Sequence, residues 1–278
     1  EPTAPFNVLD VRQSSATFET VALPLDASLG RDICAEARRR GVSPAVLFHV
    51  AWAQVLARCT GRNEVVFGTV LSGRMHGAGD ADRAWGMFIN TLPIRVAVKD
   101  TAADAIDQTQ RRLVELFDHE HAPLSLAQRC SSVASSMPLF STLLNYRHSS
   151  DAYVKPEGIR LIASEETTNY PISMNVDDFG EQFALTAQVV GGLDAARVAG
   201  YLAHTMASLI AELRSDGTQP LHALDVMPPS ERECLLQGFN ATATDYPKDA
   251  LIHALFEQQV DVQPDALAVR DAFGSLSY

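Results

Sequence analysis

The sequence predicts a mixed α/β lobe whose largely antiparallel sheet is flanked by helices. Two observations carry that expectation. Short apolar runs bounded by turn residues recur along the chain, and helix-length stretches with a 3.6-residue apolar period stand between them. Hydrophobic residues also make up 46% of the 278 positions, enough to bury one large core or two small ones.

Phe18, Val21 and Leu23 suggest a first short strand. Leu29, Ile33, Ala37 and Arg40 follow a helical period that Gly41 closes. Ser43-Pro44 supplies an N-cap and a proline at the first helical position, opening a helix to Arg58 that is apolar nearly all round and so expected at the centre. After a turn at residues 60–63, Val65-Val66-Phe67 with Val70-Leu71 predicts a buried strand, and the glycine-containing stretch from Ser72 to Arg83 a loop. Met87 to Val98 predicts a strand, Ala102 to Phe117 an amphipathic helix, and Pro123 to Ser136 a helix with a serine-rich loop. Four further strands are expected at Leu139–Tyr146, Ile159–Ala163, Ile172–Val176 and Phe183–Val190. Asp194 then caps a helix with one apolar face running from Val198 to Leu213. Prolines at 220, 228, 229 and 247 mark a composition shift, giving a lobe over 1–214, a linker over 215–250 and, from 251, a short helix (Leu251–Val260) and a strand (Leu267–Val269) that open a further unit.

Composition narrows the function classes. A net charge of −12, from 22 basic and 34 acidic residues, argues against nucleic acid and against anionic membrane surfaces. The longest nearly apolar run, Ala45 to Ala57, falls short of the ~20 residues of a membrane span, so a cytoplasmic location is expected. Four cysteines without CxxC spacing, and the pair His119 and His121, whose i, i+2 spacing faces them apart on a helix, do not form a metal site. His76 and Asp80 have the HxxxD spacing of acyltransferases that use histidine as a general base. Asp80, however, is followed by Ala81 where that motif has glycine, and no histidine precedes His76, so the pair is a weak lookalike.

The informative motifs lie elsewhere. Trp85-Gly86-Met87-Phe88-Ile89-Asn90-Thr91-Leu92-Pro93-Ile94-Arg95, preceded by Thr60-Gly61-Arg62-Asn63-Glu64-Val65-Val66-Phe67-Gly68-Thr69 and Ser72-Gly73-Arg74, resembles the condensation domains of nonribosomal peptide synthetases. Glu64 stands where the family usually has aspartate. His121-Ala122-Pro123-Leu124 occupies the place of a His-x-x-Pro-Phe-Glu element without its phenylalanine and glutamate, and Ser136-Met137-Pro138-Leu139-Phe140 resembles the segment before a family strand. Pro228-Pro229-Ser230-Glu231-Arg232 and Phe239-Asn240-Ala241-Thr242 resemble a condensation–adenylation linker. Leu255-Phe256-Glu257-Gln258-Gln259, Pro264-Asp265-Ala266-Leu267-Ala268-Val269 and Leu276-Ser277-Tyr278 resemble the opening of an adenylation domain.

The resemblance implies a chloramphenicol acetyltransferase-like fold of two related lobes with a tunnel between them. Peptidyl carrier proteins insert phosphopantetheine-borne thioesters from opposite ends, and an acyl group passes to an amine. No cofactor is bound directly. The family's HHxxxDG element, which carries the catalytic histidine, does not occur in these residues, so the resemblance implies a C-terminal lobe that works with an N-terminal lobe and an adenylation domain in cis and is inactive without them. Arg74, Gly86, Asn90, Thr91 and Arg95 are the motif positions implied to line the tunnel. Their residue types have architectural readings too: a close backbone approach or positive φ at Gly86, backbone satisfaction by Asn90 and Thr91, and an ion pair at Arg95. Two rival readings are a stand-alone acyltransferase using His76 and Asp80, and a non-catalytic module that docks carrier proteins.

Overall fold

A computed structural model describes residues 2–9, 17–74, 85–148, 162, 168–245 and 248–278. They fall into two compact units, residues 1–229 and 230–278. His76 and Asp80 lie outside the described residues, as does the strand expected at Ile159–Ala163 apart from Ile162.

The first unit holds a six-stranded sheet formed by β1 (Phe18–Pro24), β2 (Glu64–Leu71), β3 (Asn90–Ala97), β4 (Thr142–His148), β5 (Ile172–Asp178) and β6 (Phe183–Val190), in the order β1-β6-β5-β4-β2-β3. The outer pairs β1–β6, β6–β5 and β2–β3 are antiparallel, and the two central junctions, β5–β4 and β4–β2, are parallel. The sheet is thus mixed, as expected, with its parallel part at the middle.

Helices α1 (Ala27–Arg40), α2 (Pro44–Thr60), α3 (Ala102–Phe117) and α5 (Ala195–Ser215) pack into one core with one face of this sheet. The core face carries Val65, Phe67, Leu144, Ile172, Met174, Val176, Leu185, Ala187 and Val189, the alternate residues of each strand, all essentially inaccessible. Central to that layer is α2, buried without interruption from Val46 to Ala57. Caps fix the other helices. The Asp26 carboxylate accepts from the Ser28 amide at 2.7 Å, Thr101 Oγ1 accepts from the Asp104 amide, and Asp194 accepts from the Arg197 amide. Gly41 ends α1 at φ 67°, where a side chain would be strained.

Where α1 meets α5, the nearly buried Glu36 accepts from Arg39 and Arg40, and Arg39 Nη2 also reaches Leu213 O at 2.7 Å. Burial pushes the Glu36 carboxyl up, but the two guanidinium groups outweigh it and hold it below the usual carboxylate range. Beyond α5, Leu221, Leu224 and Val226 are buried in the same core, and Gln54 Nε2 donates to Leu224 O at 3.0 Å. The first part of the stretch read as linker is therefore folded against the lobe.

Two strands start later than their hydrophobicity predicts. β3 begins at Asn90, not Met87, because its partner β2 ends at Leu71, opposite Asn90; Met87 is 93% exposed. β4 begins at Thr142, not Leu139, because Leu139 and Phe140 turn into a second, smaller cluster with Leu143, Val66, Tyr170 and Leu124 of α4 (Leu124–Cys130). Thr3 fits the gap where β2 and β4 diverge: its hydroxyl accepts from the Val66 amide at 2.8 Å, and its backbone bridges Phe140.

The second unit comprises α6 (Pro229–Glu233), a π-helical turn at Cys234–Gly238, α7 (Ile252–Val262) and a hairpin of β7 (Leu267–Arg270) with β8 (Ser275–Ser277). Phe256 packs on Tyr278, and none of its described residues is buried.

At the β2–β4 junction the sheet depends on the absence of a side chain. A Cβ on Gly68 would lie 2.4 Å from Phe140 Cε2 and 2.5 Å from Leu143 Cδ2. Gly68→Ala is expected to lower stability by about 1–3 kcal/mol in urea denaturation, and Phe140→Leu in the same chain to recover part of the loss.

Candidate functional site

With four helices on one face, the opposite face of the sheet is left to polar residues and to the small cluster around Phe140. Strand alternation places Thr91 and Arg95 of β3 on this face, since Thr91 pairs with Val70 and Arg95 with Val66. On the same side lie Leu143, Asn145 and Arg147 of β4, Ser173, Asn175 and Asp177 of β5, and Thr186 and Gln188 of β6. Thr91 and Arg95 are four residues apart, about 13 Å along the strand, so they do not meet at one point.

The motif residues divide by what they touch. Asn90 acts as a clamp: its Nδ2 donates to Glu120 O at 2.9 Å and to Ala122 O at 2.7 Å, and its Oδ1 accepts from the Thr91 amide. It thereby ties the start of β3 to the turn before α4, carrying the architectural role foreseen for it. Gly86 sits at φ 150°, a backbone region that side chains rarely adopt, against the ring of Phe88. The Arg74 guanidinium lies over that ring, 4.8 Å from its centroid. Arg95 Nε is 3.4 Å from Glu64 Oε1, both more than one-third exposed, a pair contributing at most ~1 kcal/mol. Its carbonyl accepts from Arg112.

Sequence reasoning missed the polar residues of β4, β5 and β6, which its motifs do not include. The signal was present as period-two alternation, in Leu143-Asn145-Arg147 and Ser173-Asn175-Asp177, beneath strands judged on apolar content alone. Asn145 Nδ2 donates to Asn175 Oδ1 at 3.0 Å, and Arg147 grips Asp177 through two bonds of 2.8 and 3.0 Å. Toward the smaller cluster the face holds a cavity of about 170 Å³, lined by Leu124, Gln128, Met137, Phe140 and Tyr170 among others, with the Phe140 and Tyr170 rings stacked 5.5 Å apart.

Two groups with displaced protonation equilibria lie on the core side. His49 is buried in α2, its Nδ1 2.7 Å from Ala45 O and its Nε2 2.8 Å from Thr69 Oγ1. Burial lowers its pKa from 6.5 to about 4, holding the ring neutral. The Tyr146 hydroxyl donates to Asp178 Oδ2 at 2.5 Å; burial first and that carboxylate second push its pKa up. No cluster of three or more metal-ligating side chains occurs among the described residues. Nor, among the described residues, is any single helix long and apolar enough to cross a membrane.

The comparisons with known proteins decide the family. A family described as "Condensation domain" matches residues 6–236. The chain belongs to the condensation-domain family of nonribosomal peptide synthetases. Malpinin synthetase of Mortierella alpina is 44% identical over 281 aligned positions, which take in all of this chain and 4% of that protein's length. Among solved structures, a four-domain nonribosomal peptide synthetase bound to AMP and glycine matches with a TM-score of 0.73 at 15% identity, over 100% of this chain and 22% of that one. The first condensation domain of the calcium-dependent antibiotic synthetase, in complex with a substrate analogue, matches with a TM-score of 0.59 at 17% identity, over 81% of this chain and 52% of that one. Condensation domains share the chloramphenicol acetyltransferase-like fold, and the helix-backed mixed sheet described above is that architecture.

Two measurements follow from the site's geometry. Asn90→Ala leaves two carbonyls and an amide without their partner, so a stability loss of about 1–3 kcal/mol is expected, with faster amide hydrogen exchange over residues 118–123. His49 titrates lower folded than unfolded. Its contribution is therefore complete above pH 6.5 and declines as the pH falls toward about 4, by roughly 1.4 kcal/mol per unit. A His49→Gln variant is expected to lose less stability than the wild type across that window in pH-dependent denaturation.

Proposed function

We propose that residues 1–214 form the C-terminal half of an amide-forming condensation domain, joined by a linker over 215–250 to the start of an adenylation domain at 251–278. The observation that carries this reading is a pair of facts. The chain matches about half of a solved condensation-domain chain, 52% in one case and 49% in another, and it contains no HHxxxDG. The adenylation reading is supported by the tail motifs, and by the match to the four-domain synthetase running over the whole of this chain where the single condensation domain matches 81% of it.

In this reading the sheet face opposite the four core helices forms one wall of the tunnel, and Asn90, Gly86 and Arg74 hold the backbone at its edge. Carrier proteins deliver an acyl thioester and an aminoacyl thioester on phosphopantetheine arms. The acceptor amine attacks the thioester carbonyl, a C–N bond forms, the C–S bond breaks, and the amine's proton leaves as the thiol departs. The base for that proton is the second histidine of the opposite lobe's HHxxxDG. This chain contributes orientation, which lowers the barrier by holding both chains in one geometry. A fold that works on carrier-borne intermediates fits a cytoplasmic location. The uncharged row across this face, with Thr91, Asn145 and Asn175 in register, suits a neutral pantetheine arm.

An amide-forming assay with two loaded carrier proteins tests this. The chain supplied alone is expected to give no condensation product, and the same chain continuous with a lobe bearing HHxxxDG is expected to give product that vanishes when that motif's second histidine becomes alanine. Turnover by the isolated chain that His76→Ala abolishes overturns the reading and favours the stand-alone acyltransferase. Trp85, Met87 and Ile89 lie at least 68% exposed beside the start of β3, so light scattering on the isolated chain is expected to show concentration-dependent self-association.

A further inference from the structure

The sheet face opposite the four core helices carries a row of side chains that the family motifs touch at one end only. In register across the sheet stand Thr91, Val70 (two residues on from the Gly68–Leu143 pair), Asn145, Asn175, Thr186 and Ala22. At its centre Asn145 Nδ2 donates to Asn175 Oδ1 at 3.0 Å, with Asn175 9% exposed and Asn145 half-buried. That bond leaves Asn145 Oδ1 to accept and Asn175 Nδ2 to donate, beside the second N–H of Asn145 Nδ2 and the second lone pair of Asn175 Oδ1. Reversing both amides exchanges these two roles between the asparagines. The adjoining Ser173 and Gln188 are uncharged, and the nearest charges on these two strands, Arg147 and Asp177, bond each other.

An acceptor beside a donor, on a nearly buried and uncharged strip, complements a secondary amide, which offers one N–H and one C=O. A phosphate or carboxylate would find no cation in this row, and a wholly apolar chain would leave both asparagines without their second bond. We propose that Asn145 and Asn175 position the thioester-bearing chain by holding one of its secondary amides, with the amide N–H donating to Asn145 Oδ1 and its carbonyl accepting from Asn175 Nδ2. This rests on the condensation reading above. That amide lies either in the pantetheine arm or in the backbone of the acyl chain, and the two sources are separable by substrate chemistry.

Replacing an amide by an ester removes the N–H at one known position. In the complete synthetase, thioester substrates are compared in three forms: all-amide, ester in the pantetheine arm, and ester in the acyl chain. The wild type is expected to use one of the two esters about tenfold less well than the all-amide substrate in kcat/KM, one lost buried hydrogen bond. The ester that shows this loss identifies the amide held. Asn145→Leu is expected to abolish that discrimination and to weaken the all-amide substrate mainly through KM. Should Asn145→Leu lose its circular-dichroism signature, Asn145→Ala carries the same comparison. An equal loss on ester and amide substrates, or a wild type indifferent to both esters, overturns the proposal while amide formation itself continues. If the wild type forms no amide from any of the three, the condensation reading falls and this proposal with it.

Discussion

Burial of α2 is the constraint on which the rest of the structure depends. A helix apolar on all sides has no face to give to water, so it must be enclosed by the sheet and by other helices. α1, α3 and α5 share its core, and the sheet supplies the remaining cover through one residue in two along each strand. Because helices gather where α2 lies, the opposite sheet face is spared most of that cover. The open face is thus a consequence of packing on the other side.

That asymmetry divides labour within each strand. Ile172, Met174 and Val176 of β5 hold the core, while Ser173, Asn175 and Asp177 between them build the polar face. The same alternation gives β2 and β3 a structural and a candidate functional side, so that Thr91 enters the row with Asn145 although 54 positions separate them. The motif residues around this face mostly hold backbone in place. Asn90 closes a turn against β3, Gly86 lets the chain run beneath Phe88, and Arg74 covers that ring. Motif residues of this kind hold backbone in place, and the polar side chains of this face are supplied by the strands.

The buried polar groups follow the same economy of satisfied bonds. His49 is neutral because burial outweighs the opposing hydrogen bond to Ala45 O, while both of its ring nitrogens remain within hydrogen-bonding distance of a partner. Glu36 stays charged because two arginines reach it where α1 meets α5. One group is held by desolvation and the other by partners strong enough to overcome it, which explains why neither points to chemistry in spite of burial.

The sequence by itself determined the helices, the family and most of the strands. Ala102–Phe117 and Phe183–Val190 are bounded as their periodicity and caps require, because local spacing and capping are properties of neighbouring residues. The late starts of β3 and β4 were not legible, because a strand's limit is set by where its partner ends, and Leu71 and Thr3 are distant in the chain. The packed segment around Leu221, Leu224 and Val226 was hidden for the same reason: its prolines mark a loop, while Gln54 and the core decide that the loop is folded down. Only the tertiary structure placed Asn145 against Asn175 and both in a row with Thr91. Side-chain alternation is written in the sequence, but which strands lie side by side, and which face takes the four core helices, is settled by long-range packing.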